Sequence, residues 1–228
     1  MLTLIESTII ILVLGFFSFI SIKKKSFDLK GIIIGILIGL ITIFLGERTF
    51  IGGFTSFLFV VYFFIIGELS TRYGSKIRKK EHETRTTGNV LGNSLAALIA
   101  LGLSFPIGFF AGISAALADT MSSEIGMLSK RKPVLITTLE KVETGTDGGV
   151  SLLGSVSALI GAGLVAGMYY FLYSNLFFAG IILLAGLIGT FIDSILGAVF
   201  ERKGKLSNTW VNFLSTLTAV VIAIAIAG

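Results

Sequence analysis

The sequence predicts an all-α polytopic membrane protein of about eight transmembrane helices, and three observations lead there. The first is composition: of 228 residues, 54% are hydrophobic and 14% charged, with a mean hydropathy of +0.96, against about 25% charged in an ordinary soluble domain. The second is a series of eight apolar windows, most near the ~20 residues that cross a bilayer core. The third is charge placement: 17 of the 18 Lys and Arg residues fall in four segments separated by pairs of windows. The absence of Cys and the single His82 exclude disulfide frameworks, thiolate metal sites and His-rich metal centres.

The windows fall at 4–22, 31–46, 49–68, 89–104, 106–119, 148–171, 176–199 and 210–227. Residues 1–22 lack a basic leader and an A-x-A-like cleavage site, and Lys23, Lys24 and Lys25 follow at once. An uncleaved anchor is the expected reading. The fourth and fifth windows are joined only by Ser104-Phe105-Pro106. One continuous helix there would rise about 46 Å, too long for a core of about 30 Å, so a hairpin of short helices is expected. The basic segments 23–30, 69–88, 120–147 and 200–209 share one side if the helices alternate. The positive-inside rule makes that side cytoplasmic and puts both termini outside. Residues 1–228 then form one membrane domain: three spans (1–68), a basic loop (69–88) and a five-span core (89–228) with a cytoplasmic loop at 120–147. Basic residues that border spans fit anionic headgroups rather than nucleic acid.

Ionisable groups inside a span cost about 2.5–3.5 kcal/mol and are functional candidates by default. Glu68 is the bland case, since Arg72 lies four residues on. The later helices differ. The fifth ends Ala118-Asp119-Thr120-Met121-Ser122-Ser123-Glu124, and the seventh carries Asp193-Ser194 in an apolar run. The fourth and eighth begin with Asn89-x-x-x-Asn93 and Asn208-x-x-x-Asn212, each pair on one helix face. Loop 120–147 holds Lys130, a β-prone stretch at 134–142 suited to a short hairpin, and Gly145-Thr146-Asp147-Gly148-Gly149 before a helix. Such a turn suits phosphate, although no Walker A Gly-Lys-Ser/Thr follows. Hard oxygen ligands suit Mg²⁺, and cations suit phosphates. The set is that of phosphoryl or nucleotidyl transfer at the cytoplasmic face.

The run from Ala118 to Gly126, then Ser129-Lys130, Pro133, Ile136-Thr137-Thr138 and Gly145-Thr146-Asp147-Gly148-Gly149-Val150-Ser151-Leu152-Leu153-Gly154, resembles the signature of a known integral-membrane family. That family contains plant chloroplast phytyl-phosphate kinase and animal, bacterial and archaeal relatives. Asp193-Ser194-x-Leu196-Gly197-Ala198 and Asn208-x-x-x-Asn212-Phe213 extend the likeness, which covers roughly residues 85–216. Thr144 stands where the family often has Pro. The resemblance implies an isoprenoid (phytyl or polyprenyl) phosphate kinase. It would pass a phosphoryl group from a nucleoside triphosphate, CTP by expectation, to a prenyl-type monophosphate. On that reading Asp119, Glu124 and Asp193 are catalytic Mg²⁺ ligands. Gly145, Thr146, Gly148 and Gly149 with Lys130 hold nucleotide phosphates, Arg85, Asn89 and Asn93 meet the acceptor phosphate or the nucleotide, and Asp147, Ser194, Asn208 and Asn212 complete the substrate- and nucleotide-binding set. A CTP-dependent nucleotidyltransferase making a CDP-lipid would use similar parts. An ion-coupled lipid-phosphate transporter is the alternative outside enzymology. The expected setting is the cell membrane, with oligomeric state left open.

Overall fold

A computed structural model describes residues 2–24, 26–79 and 86–228. Eight α-helices follow in chain order: α1 (Leu4–Lys24), α2 (Leu29–Gly46), α3 (Gly53–Arg78), α4 (Thr87–Gly102), α5 (Pro106–Gly126), α6 (Leu152–Tyr173), α7 (Leu176–Leu196) and α8 (Asn208–Ala227). Six of them are long and apolar enough to cross a membrane. The protein is a multi-pass integral membrane protein. Helix α4 is shorter, and α5 falls outside the six for a packing reason. It contacts α3, α4, α6, α7 and α8, and residues 108–118 are all buried. Surrounded by protein, it needs small side chains more than lipid-facing ones. A Cβ on Gly161 of α6 would lie 2.9 Å from Cα of Ala118, so those two helices meet backbone to backbone.

Helix starts follow the local chemistry. Asp28 caps α2 through Gly31 N–H (2.7 Å), and Asn175 caps α7 through Phe178 N–H (3.1 Å). The expected α4–α5 hairpin forms: Ser104 turns the chain at φ 62°, and Pro106 occupies the first turn of α5. Aromatic rings of Phe59, Phe110 and Tyr169 tie α3, α5 and α6 together, with centroids 4.5 and 5.0 Å apart.

Two boundaries differ from the apolar windows. Helix α3 continues to Arg78, ten residues into the segment expected as loop. There Gly74 and Arg78 lie against the end of α5, so protein contacts rather than lipid sustain the helix. Helix α5 likewise runs through Ser122, Ser123 and Glu124 to Gly126. The hairpin expected at 134–142 forms through a bridge from Val134 to Lys141. The same strand, β1 (Val134–Leu135), also pairs antiparallel with β2 (Gly149–Val150), ahead of α6. Glu68 makes the expected ion pair with Arg72 (2.6 Å) and also accepts from Ser26 Oγ (2.6 Å). The run around His82, and Arg85, lie outside the described residues.

Candidate functional site

The polar motifs of α4, α5, α7 and α8 converge at the end of the bundle that carries the basic loops. Two helices bring the acids. The last turns of α5 carry Asp119, and α7 carries Asp193 one turn before its end; α5 and α7 pack together. Both carboxylates line one polar cavity of about 240 Å³, which Asp147 and Glu201 also line. Asp119 feels the charge of Asp193 and Glu201, and Asp193 that of Glu201 and Asp147. Ser215 of α8 donates to Asp193 Oδ2 (3.0 Å) and so fixes one of its oxygens.

Glu201 arrives by an irregularity. Eight residues of regular α-helix would leave it about 80° around the axis from Asp193, at about 100° per residue. Instead residues Gly197–Glu201 form a π-helical turn, marked by Arg202 N–H donating to Gly197 O (3.0 Å). The wider turn slows the rotation and swings Glu201 back toward the Asp193 side.

The glycine-rich loop forms a wall of the same cavity, with Gly145, Thr146, Asp147, Gly148, Gly149 and Ser194 on its lining. Gly148 has φ 75°. A Cβ there would fall 2.5 Å from the backbone nitrogen of Ala198 and 2.6 Å from Ser194 O, so only glycine lets the loop rest on the end of α7. The loop's amides are partly committed: Thr146 N–H donates to Glu143 O (3.1 Å) and Gly149 N–H to Thr146 O (2.9 Å). These two N–H groups hold the turn. Ser151 caps α6 through Gly154 N–H (3.1 Å) and closes this wall.

The asparagines of α4 and α8 meet side by side. Asn89 Nδ2 donates to Asn208 Oδ1 (3.2 Å), and Asn212 Nδ2 donates to the same oxygen (3.3 Å). Asn89 also completes a capping box with Thr86. With Asn93 they line a second cavity of about 290 Å³. Asp119, Ser123 and Asn208 border both cavities, so the two chambers share a wall. The second one runs from this polar end into apolar side chains of α1, α2 and α3.

Glu124 and Lys130 are absent from the lining of the polar cavity, although Glu124 lines the second one with Asp119. Glu124 Oε2 accepts from Arg78 (3.0 Å), whose guanidinium also reaches Glu124 O (3.0 Å). Asp119, Glu124 and Asp193 therefore do not form one ligand set. Among the described residues no three acidic, His or Cys side chains converge as a metal cage. Lys130 is exposed and lines neither cavity, while its neighbour Lys132 pairs with Glu143.

The remaining donor set still fits Mg²⁺. All the candidate donors are hard oxygens, and Mg²⁺ takes one or two protein carboxylates plus substrate phosphates rather than a closed cage. Asp119 and Asp193 would hold it. Among the described residues no Lys or Arg lines the polar cavity, so a phosphate group enters this acid-walled space only with a cation between.

Comparison with known proteins gives a consistent picture. The family described as integral membrane protein DUF92 matches residues 12–220. An uncharacterized membrane protein of Methanocaldococcus jannaschii is 35% identical, over 98% of this chain and 95% of its own length. One from Synechocystis is 35% identical, over 76% of this chain and 74% of its own. Protein VTE6, chloroplastic, of Arabidopsis thaliana is 29% identical over 75% of this chain, and 58% of its own length is covered. No solved structure matches.

Proposed function

We propose that this chain, which belongs to the integral membrane family DUF92, is a phosphotransferase that phosphorylates a prenyl- or phytyl-type monophosphate from a nucleoside triphosphate, with CTP as the expected donor. The observation that carries the reading is the pair of adjacent chambers that share Asp119, Ser123 and Asn208 as a common wall. One is small, polar and walled by carboxylates. The other leads away between apolar helices. A lipid monophosphate needs both, its headgroup in the first and its tail in the second. The motif resemblance over residues 85–216 to the family that contains plant phytyl-phosphate kinase supports the same substrate class.

In the reaction an oxygen of the acceptor phosphate attacks the γ-phosphorus, the bond to the bridging β–γ oxygen breaks, and a nucleoside diphosphate leaves. The attacking oxygen is already anionic near neutral pH, so no general base is required, and the scarcity of His is no obstacle. Mg²⁺, when bound, would neutralise phosphate oxygens and align donor with acceptor. The protein's own part is placement. Asp119 and Asp193 hold the cation, and Ser215 keeps Asp193 in one orientation. The Asn89, Asn208 and Asn212 amides fix the shared wall where the headgroup sits. The glycine loop closes the polar chamber against α7.

The test is turnover by the purified protein with Mg²⁺, CTP or ATP, and geranylgeranyl or phytyl monophosphate, with products resolved by mass. A prenyl diphosphate with a nucleoside diphosphate is the expected outcome. A CDP-lipid with pyrophosphate would replace phosphoryl by nucleotidyl transfer. No product, in a preparation that binds no nucleotide, would point to transport.

A further inference from the structure

The larger chamber extends well past the headgroup. Its lining on α3 alone runs from Thr71 to Phe57, fourteen residues, or about 21 Å at 1.5 Å per residue. Thr71 lies at the end near the acids, and Phe57 lies near the opposite end of α3. Ile113 of the central helix α5 forms part of the inner wall, and Leu14, Phe17, Gly35 and Gly39 form the outer one. That outer wall is thin. Helix α1 packs on α2, and only 11% of its span is buried, against 39% for α2 and α3. Glycine lets aromatic side chains pack close on α2 here: a Cβ on Gly35 would lie 3.1 Å from Phe17 Cζ, and one on Gly39 3.2 Å from Phe57 Cε2.

We propose that this slot between α1, α2 and α3 receives the single isoprenoid tail of the lipid monophosphate, and that Leu14, Gly39 and Phe57 at its far end set the longest tail accepted. The identity of the headgroup rests on the phosphotransferase reading above. The slot's own geometry supplies the rest. A span of about 21 Å suits an extended tail of about four isoprene units. Its polar end is lined by Asp119, Ser123 and Asn208, which also line the polar cavity, so a tail seated there brings its phosphate beside the acids.

Full-length protein in nanodiscs is irradiated with geranylgeranyl monophosphate carrying a diazirine at the tail terminus, and the labelled peptides are mapped. Label is expected at or beside Leu14, Gly39 and Phe57, reduced at least tenfold by excess geranylgeranyl monophosphate and unaffected by inorganic phosphate. Label confined to lipid-facing side chains such as Phe16 and Phe19 (67% and 60% exposed), or displaced equally by a diacyl phosphatidic acid, would overturn the assignment. In parallel, Val61→Trp on the slot wall should lower the ratio of kcat/KM for geranylgeranyl over geranyl monophosphate at least tenfold; an unchanged ratio in folded protein would count against the slot. If that variant fails to fold, the label in the unaltered protein decides. The two readings separate cleanly. Competed label in the slot without phosphoryl transfer keeps the tail site and rejects the kinase. Transfer with label elsewhere does the reverse.

Discussion

Replacing Gly148 with Ala tests whether the glycine loop must rest on α7 for the site to work. Two costs add. At φ 75° an L-residue costs about 1–2 kcal/mol. The new Cβ would also stand 2.5 Å from the Ala198 nitrogen, where ordinary contact begins near 3.4 Å. The opposing atoms, Ala198 Cβ, Ala198 N at 2.5 Å and Ser194 O at 2.6 Å, are backbone or fixed directly to it, so the loop must lift by about 1 Å. Misplacement of a positioning element by about 1 Å is worth on the order of 10²-fold in rate. Gly145→Ala is the matched control. It carries similar strain at φ 91° but meets no atom within 4 Å, so it should lose activity about tenfold less. The assay is initial-rate phosphoryl transfer by both variants in detergent, beside size-exclusion profiles and melting curves. Gly148→Ala with a rate within threefold of the parent, or losses equal in the two variants, would refute the docking argument.

Asp119→Asn and Asp193→Asn should each abolish turnover, by on the order of 10³-fold or more, while leaving the protein folded and monodisperse; full activity in either would remove the cation site. Glu124→Gln should cost activity far less than Asp119→Asn, because Glu124 is committed to Arg78. Its effect should appear instead as a loss of about 1–3 kcal/mol in stability, read from thermal melting. Ser215→Ala removes the hydrogen bond to Asp193 and should raise the Mg²⁺ concentration for half-maximal rate several-fold, with the maximal rate less affected. Lys23→Ala should be nearly silent in the same assay.

Much of the helical framework was legible because lipid imposes its own grammar: apolar windows and flanking charges need no tertiary information. Where helices answer to protein instead, that grammar fails. The end of α3 reads as loop by hydropathy, yet Gly74 and Arg78 lock it to α5. The Asn pairs and the two Asp residues were legible because i, i+4 spacing and intramembrane charge are local signals. The ion pair of Glu124 was not legible, because its partner Arg78 lies 46 residues away in the chain. Glu201 gave no usable signal. Beside Arg202 and Lys203 it looks like any interfacial acid, and only the π turn aims it inward. Ser215 could have been found, since it lies three residues after Asn212 on one face of α8. The lipid slot was hidden for a simpler reason: residues that line a cavity within a membrane and residues that face the bilayer share one alphabet.

The most direct test of the central claim is the fate of isotope from labelled CTP and ATP, supplied with Mg²⁺ and geranylgeranyl monophosphate to the purified protein. The account predicts that γ-phosphorus label passes into the lipid phase as a prenyl diphosphate, that α-phosphorus label stays in water, and that Asp119→Asn stops the transfer. Label from the α-position entering the lipid, or γ-transfer undiminished in Asp119→Asn, would contradict it.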